Sequence, residues 1–125
     1  FNKQTIIPRF HVVQSRNVMP IVNYVNGNKP SKIKKTVASG IAVANPPRLM
    51  EIAAVVEISN GSAVAVCDNS ILYWQKKLAN TEGIFCEPTS ATAFSGLEIL
   101  LEQGTISKDE NVLIPITGTG LKEPL

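Results

Sequence analysis

Apolar positions along this chain change their period several times, and each change marks an element. Arg9-Phe10-His11-Val12-Val13-Gln14-Ser15 is rich in β-branched and aromatic residues and predicts a strand. Asn17 suits the cap of a short helix over Met19 to Val25, with Pro20 early enough in it to be tolerated. Asn26-Gly27-Asn28-Lys29-Pro30 opens a loop that runs to Lys35. Thr36 to Ala44 alternates small and branched residues around Gly40, as a strand or an extended loop. Asn45-Pro46-Pro47 then starts a helix, with Asn45 as N-cap and Pro46 in the first turn, where its missing N–H is not needed. Leu49, Ile52, Ala53, Val55 and Val56 follow helical spacing until Asn60-Gly61 stops it.

Ser62-Ala63-Val64-Ala65-Val66-Cys67 is the next strand, continuous and small enough to lie under helices. Asp68 is placed to cap a helix in which Ile71, Leu72, Gln75, Leu78 and Ala79 recur at three and four. Lys76 and Lys77 fall near its carboxyl end, where cations suit the helix dipole. Glu82-Gly83 ends it, and Ile84-Phe85-Cys86 predicts a short buried strand. After Glu87-Pro88-Thr89-Ser90-Ala91 a helix turns Ala93, Phe94, Leu97, Leu100 and Leu101 inward until Gly104. A polar hairpin from Ser107 to Asn111 leads into the last strand, Val112 to Ile116. That run has no polar face, which suits a strand covered on both sides. Strands alternating with helices of this kind imply parallel pairing with right-handed crossovers. The expected fold is α/β, a three-layer α/β/α arrangement with a mostly parallel sheet, with residues 1–125 as one unit.

Composition narrows the function classes. With 44% hydrophobic and 18% charged residues, the chain can build a core, and wholesale disorder is excluded. Twelve basic and ten acidic residues leave a net charge of +2, too small to argue for a nucleic-acid or membrane partner. No apolar run approaches the roughly 20 residues that span a bilayer. Phe1-Asn2-Lys3-Gln4 lacks a secretory h-region and does not begin with Met, so the expectation is a processed chain or part of something longer. Cys67 and Cys86 are expected as buried, reduced thiols in the cytoplasm, with a disulfide between neighbouring strands left open. Two cysteines and one histidine make no recognisable metal site.

Candidate chemistry concentrates where the last apolar run ends. Ligands of parallel α/β sheets bind beyond the carboxyl ends of the strands. Thr117 stands at such an end, and Gly118 and Gly120 let the backbone turn and come close to a bound molecule, although the segment by itself reads equally as a strand ending in an ordinary turn. Elsewhere the structural readings are preferred to the functional ones. His11 is a side chain packed or capped at a strand face rather than a base. Tyr73 and Trp74 pack at a helix–sheet seam rather than stack on a ligand. The lysines between Lys29 and Lys35 lack interleaved aromatic residues and make a solvated loop rather than a nucleic-acid patch.

Two of these segments carry a family likeness. Gly83-Ile84-Phe85-Cys86-Glu87-Pro88-Thr89-Ser90-Ala91, a helix, and then Pro115-Ile116-Thr117-Gly118-Thr119-Gly120-Leu121-Lys122-Glu123-Pro124 together resemble the carboxyl-terminal part of the threonine synthases. Val13-Gln14-Ser15, Pro20-Ile21-Val22 and Ala42-Val43-Ala44-Asn45-Pro46 fall in the matching order, so the likeness covers essentially the whole chain. The Glu-Pro-x-Ser-Ala element is shared with related dehydratases, whereas the Thr-Gly-x-Gly-Leu-Lys ending is narrower. The resemblance implies the tryptophan-synthase-β fold (fold type II) and pyridoxal phosphate as cofactor. It implies O-phosphohomoserine and water as substrates, giving threonine and phosphate, in a homo-oligomeric cytoplasmic enzyme. By the same resemblance Thr117 hydrogen-bonds the pyridine nitrogen. Glu87 lies at the cofactor edge or near a cation, or else bonds backbone amides at the start of the following helix.

The departures from the family pattern are equally specific. The family's Schiff-base lysine lies in a Ser-Phe-Lys-type segment, and none of the lysines from Lys3 to Lys122 has that setting. The glycine-rich phosphate loop is also missing, Asn26-Gly27-Asn28 being too short to replace it. The chain is therefore expected to be about the last third of the enzyme, completed by an amino-terminal part, inert and without cofactor when alone. A cysteate synthase or threonine dehydratase of the same superfamily is an alternative, and so is a non-catalytic regulatory or interaction module.

Overall fold

A computed structural model describes residues 6–122. Strand β1 (Val12–Ser15) is followed by helix α1 (Pro20–Val25), a 3-10 turn at Ser39–Ile41, and helix α2 (Leu49–Ile58). Strand β2 (Ala63–Val66), helix α3 (Asp68–Glu82), helix α4 (Pro88–Glu102) and a 3-10 turn at Gly120–Lys122 complete the order. The two strands pair in parallel, Val12 opposite Ala63 and Ser15 opposite Val66. Successive side chains of a strand point to opposite faces. Val13 meets Gly96 of α4, and the neighbouring Gln14 meets α1. Helices thus cover both faces of a parallel pair, the three-layer α/β/α arrangement expected from the sequence.

The start of α1 shows how local signals are overridden. Asn17 does not cap it; its side chain donates instead to the Lys35 carbonyl at 2.6 Å. The orphan N–H groups of Ile21 and Val22 are taken by the buried Gln14 Oε1, at 2.9 and 3.1 Å. A strand residue thereby caps the helix on the face above it. Asn45 is likewise not a cap, because α2 starts only at Leu49. Pro47 holds Pro46 out of the helical region, which delays the start. Asp68 is the first residue of α3, not its cap. Its carboxylate accepts from Ser15 Oγ at 3.2 Å, Thr36 Oγ1 at 2.7 Å and the Val37 N–H at 2.9 Å. These bonds tie the end of β1 and the 36–38 segment to the start of α3.

The core gathers Ala38, Val66, Ile71, Leu78, Cys86 and Ala91. Helix α4 turns Ala91, Thr92, Ser95 and Gly96 inward together with Leu100, whereas Leu101, expected inside, is exposed. Small residues win this face because α4 is squeezed between the sheet and α3. Ser95 Oγ lies 2.5 Å from Ser70 Oγ of α3, and Trp74 of α3 stacks on Phe94 of α4 at 6.4 Å between centroids. Trp74 therefore belongs to a helix–helix seam rather than a helix–sheet one, while Tyr73, expected at the same seam, is exposed with its ring edge-on to Trp74. Helix α3 continues to Glu82, so Lys76 and Lys77 are not at its end; the Lys77 ammonium sits 4.5 Å from the centre of the Trp74 ring. Leu72 is exposed.

Two expected strands do not form. Residues 112–116 pair with nothing as a strand, and Leu113 is 92% exposed. An apolar run without a polar face needs a layer on each side, and the described residues supply neither. Ile84 and Phe85, expected buried, are each 39% exposed. Cys86 alone is buried there, in an antiparallel bridge to Thr119. No helix among the described residues is long and apolar enough to cross a membrane.

Candidate functional site

Thr117 and Glu87, thirty residues apart, come together where the closing turn lies against the start of α4. The Glu87 N–H donates to the Gly118 carbonyl at 3.0 Å, and the Gly120 N–H to the Phe85 carbonyl at 2.9 Å. The Phe85 ring packs against Gly120 and the flexible Glu87 carboxylate lies against Gly118, and neither glycine has a positive φ. A Cβ on Gly118 would lie 2.2 Å from Glu87 Oε1, and one on Gly120 2.6 Å from the Phe85 ring. The sequence pattern suggested that these glycines serve the approach of a ligand; the structure gives their immediate reason as the approach of Phe85 and Glu87.

Within the turn, the exposed Thr117 hydroxyl donates to Glu87 Oε1 at 3.2 Å and lies 2.9 Å from Ser90 Oγ. Ser90 Oγ also accepts the N–H groups of Thr117 and Gly118, at 3.0 and 3.3 Å. Ser90 is buried on the first turn of α4, three residues after Glu87, a spacing that sets both on one helix face. That i, i+3 relation was available in the sequence and is the signal by which Ser90 could have been singled out. The alternative role of Glu87 is not realised: it is the N-cap of α4, yet its side chain makes no capping bond. Its carbonyl accepts from Ser90 and Ala91 instead, and its carboxylate serves Thr117. Thr89 extends the cluster, its Oγ1 accepting the Gly40 N–H at 3.1 Å.

The other singled-out residues lie elsewhere. His11 Nδ1 is 2.8 Å from Ser62 Oγ and accepts the Ser62 N–H at 3.2 Å, tying β1 to the turn before β2. Burial, with Arg9 nearby, holds its pKa below the usual histidine value, and Glu110 opposes the shift weakly. Arg9 pairs with Glu110, whose carboxyl is held low first by the Ser107 N–H and then by Arg9. Both cysteines are free thiols; Cys86 is buried as expected and burial pushes its thiol up, whereas Cys67, expected buried, is exposed where β2 gives way to α3. No group of three or more metal-ligating side chains occurs among the described residues. A cleft of about 740 Å3 between α1 and the start of α2, lined by Met19, Tyr24, Ile33 and Pro46, excludes Thr117. The described lysines of the 29–35 loop are all exposed beside it.

Residues 1–118 match the model of the pyridoxal-phosphate dependent enzymes. The chain belongs to that family. Among curated pyridoxal-phosphate enzymes it is 38% identical over 122 residues to the threonine synthase of Methanocaldococcus jannaschii, an alignment covering 94% of this chain and 30% of that protein. It is 35% identical to the threonine synthase of Methanosarcina acetivorans, again over 94% of this chain and 30% of the relative. The threonine synthase of a Bacillus strain is 34% identical over 117 residues, 94% of this chain and 32% of that protein. The chain thus spans less than a third of the length of these relatives, in their carboxyl-terminal part.

The donor set around Thr117 fits one edge of pyridoxal phosphate. The neutral Thr117 hydroxyl, which donates to Glu87 Oε1, is a donor of the kind an unprotonated ring nitrogen accepts from. Every described lysine is exposed, and none lies within hydrogen-bond distance of Thr117 or Glu87.

Proposed function

We propose that this chain is the carboxyl-terminal portion of a threonine synthase, which converts O-phospho-L-homoserine and water to L-threonine and phosphate. The observation that carries the reading is the Thr117 hydroxyl, on an exposed residue and held between Ser90 and Glu87 at the start of the Thr-Gly-x-Gly-Leu-Lys segment. The names of the relatives support the choice of reaction.

In this reading Thr117 donates its hydroxyl proton to the pyridine nitrogen, and Glu87 lies at the cofactor's edge as the acceptor that Thr117 uses otherwise. When bound, the cofactor supplies an electron sink that eases loss of protons from Cα and Cβ of the substrate and of phosphate from Cγ. A hydroxyl leaves the ring nitrogen neutral, where a carboxylic acid would protonate it, and so tempers that sink. Ser90 and Gly118 keep Thr117 and Glu87 at bonding distance, with no side chain between them. The lysine and the phosphate loop come from an amino-terminal part of the same polypeptide, so the 125-residue chain alone is inert and retains no cofactor. The enzyme is cytoplasmic and homo-oligomeric.

Phosphate release from O-phosphohomoserine by the longest polypeptide encoding this chain tests the reading, with the 125 residues alone as the silent control. No release, with oxobutyrate or pyruvate formed from hydroxy amino acids, would make it a dehydratase, and sulfite-dependent turnover of a phosphorylated amino acid a cysteate synthase. An open reading frame starting near Phe1 would favour a non-catalytic module. Visible absorbance from cofactor held by the 125 residues alone would contradict their inertness.

A further inference from the structure

The loop that follows α1 carries four lysines that nothing in the described residues neutralises. Lys29, Lys32, Lys34 and Lys35 are all exposed, and among the described residues none of them makes an ion pair. The loop is nevertheless tied down. The Asn28 N–H donates to the Asn23 carbonyl at 2.8 Å and the Lys34 N–H to the Asn17 carbonyl at 3.0 Å, while the Asn17 side chain holds the Lys35 carbonyl. Like charges are thereby kept together on one short segment, where they repel one another and raise the local positive potential. Beside them opens the cleft of about 740 Å3 between α1 and the start of α2. Lys29, Lys32 and Lys34 each adjoin in sequence a residue that lines it, and no acidic side chain contributes to its wall. One polar group of that wall has spare capacity. Asn23 is 6% exposed and its amide donates to Ser31 Oγ at 3.0 Å, but its Oδ1 has no partner among the described residues. No buried side-chain oxygen or nitrogen there lacks a partner, so this oxygen is not sealed in, and the cleft is the cavity that Asn23 lines.

We propose that this cleft binds a small aromatic phosphate monoester that carries an N–H or O–H donor. The cavity lies within the few hundred to about 1,000 Å3 of small-molecule sites, and Met19, Tyr24, Ile33 and Leu49 give it the apolar wall an aromatic ring requires. Asn23 Oδ1 accepts from the donor on that ring. The phosphate meets the ammonium groups at the rim, which flexible four-carbon stems carry over the edge. Lysines act as compact point charges, suited to a phosphate; a planar carboxylate is better matched by an arginine fork, and Arg48, at the start of α2, is already engaged by Glu51. A nucleic-acid strand fits less well, because the basic loop has no interleaved aromatic residues and its charge is confined to residues 29–35. Neither Thr117 nor Glu87 lines this cleft, so its ligand is independent of the reaction proposed above.

Isothermal titration of the full-length polypeptide, loaded with cofactor and freed of its excess, tests this with two probes. Adenosine monophosphate and O-phosphotyrosine share the chemistry and separate its sources, a nucleotide and a phosphorylated aromatic metabolite. At least one should bind saturably and more weakly as salt rises, with adenosine, tyrosine and inorganic phosphate each weaker by about tenfold or more. The double variant Lys32→Gln, Lys34→Gln should lower the affinity about tenfold and flatten the salt dependence. Tyr24→Ser should lower it comparably and leave the salt dependence in place. All three positions are exposed, so the variants should keep the fold, which circular dichroism checks. Absence of binding by both probes would overturn the proposal, and so would inorganic phosphate binding as tightly as they do. Binding left unchanged by both variants would overturn it as well, and would assign the probe to a different part of the polypeptide.

Discussion

Val13 and Gly96 touch across the seam between β1 and α4, so closely that a Cβ on Gly96 would lie 2.3 Å from Val13 Cγ2 and 2.6 Å from Cγ1. The glycine is what lets the helix lie on the sheet. Gly96→Ala should destabilise the chain by about 1–3 kcal/mol through overpacking. Val13→Ala in that background should recover part of the loss, since the clash is with its methyl groups. Urea denaturation of the two single variants and the double variant measures the coupling, and simple additivity would show that the seam relaxes by some other route.

Asp68 joins three segments through one carboxylate. Removing it leaves the Val37 N–H and the hydroxyls of Ser15 and Thr36 without their acceptor. Asp68→Ala should cost about 1–3 kcal/mol, the usual penalty for stranding partly buried donors. Amide exchange at Val37 and Ala38 should quicken before the strands open. Unchanged exchange there would mean that the 36–38 segment is held by its packing alone.

Stability should fall below neutral pH, and His11 is the group responsible. Its Nδ1 accepts the Ser62 N–H, so a proton on that nitrogen faces a donor, and Arg9 beside it adds repulsion. The folded pKa is therefore lower than the unfolded value of about 6.5. The contribution is complete above that value and is lost as pH falls through the folded one. Glu110 titrates in a lower range, so measurements between about pH 7.5 and pH 5 isolate the histidine. His11→Asn, whose side-chain oxygen can accept the same N–H, should flatten the profile across that window. A profile of equal slope in the variant would assign the loss to another group.

Leu113, Leu121 and Ile58 are 92%, 84% and 79% exposed, three large apolar side chains with no cover. Isolated surface leucines are common, but Leu113 accompanies exposed Val112 and Ile116 in one unpaired extended segment. The 125-residue chain should therefore self-associate in a concentration-dependent way. Leu113→Lys should shift sedimentation toward the monomer without changing the helical content. A monomer at high concentration in the unaltered chain would contradict this.

Self-contained elements were legible in the chain itself. The helical spacing of Ile71 and Leu78, the left-handed Asn60 that ends α2, and the left-handed Gly83 that ends α3 are local signals, set within a turn or two. The β-branched run of β1 and the small apolar run of β2 gave the α/β class for the same reason. The meeting of Thr117 with Glu87 was foreshadowed only by a family resemblance, since no spacing rule connects residues thirty apart.

Sequence alone determined which segments are helical, that the two central strands run parallel, and that the Thr117 hydroxyl stands at the head of a glycine-spaced turn. Tertiary structure decided which faces are buried and what the polar groups bond. Helix α4 buries Ser95 and Gly96 rather than Leu101 because two neighbours press on it. Gln14, and not Asn17, caps α1 because a strand side chain reaches up from beneath it. Residues 112–116 are apolar and rich in β-branched Val112, Ile114 and Ile116 yet form no strand, because Pro115 offers no N–H and a strand, unlike a helix, takes its hydrogen bonds from another segment.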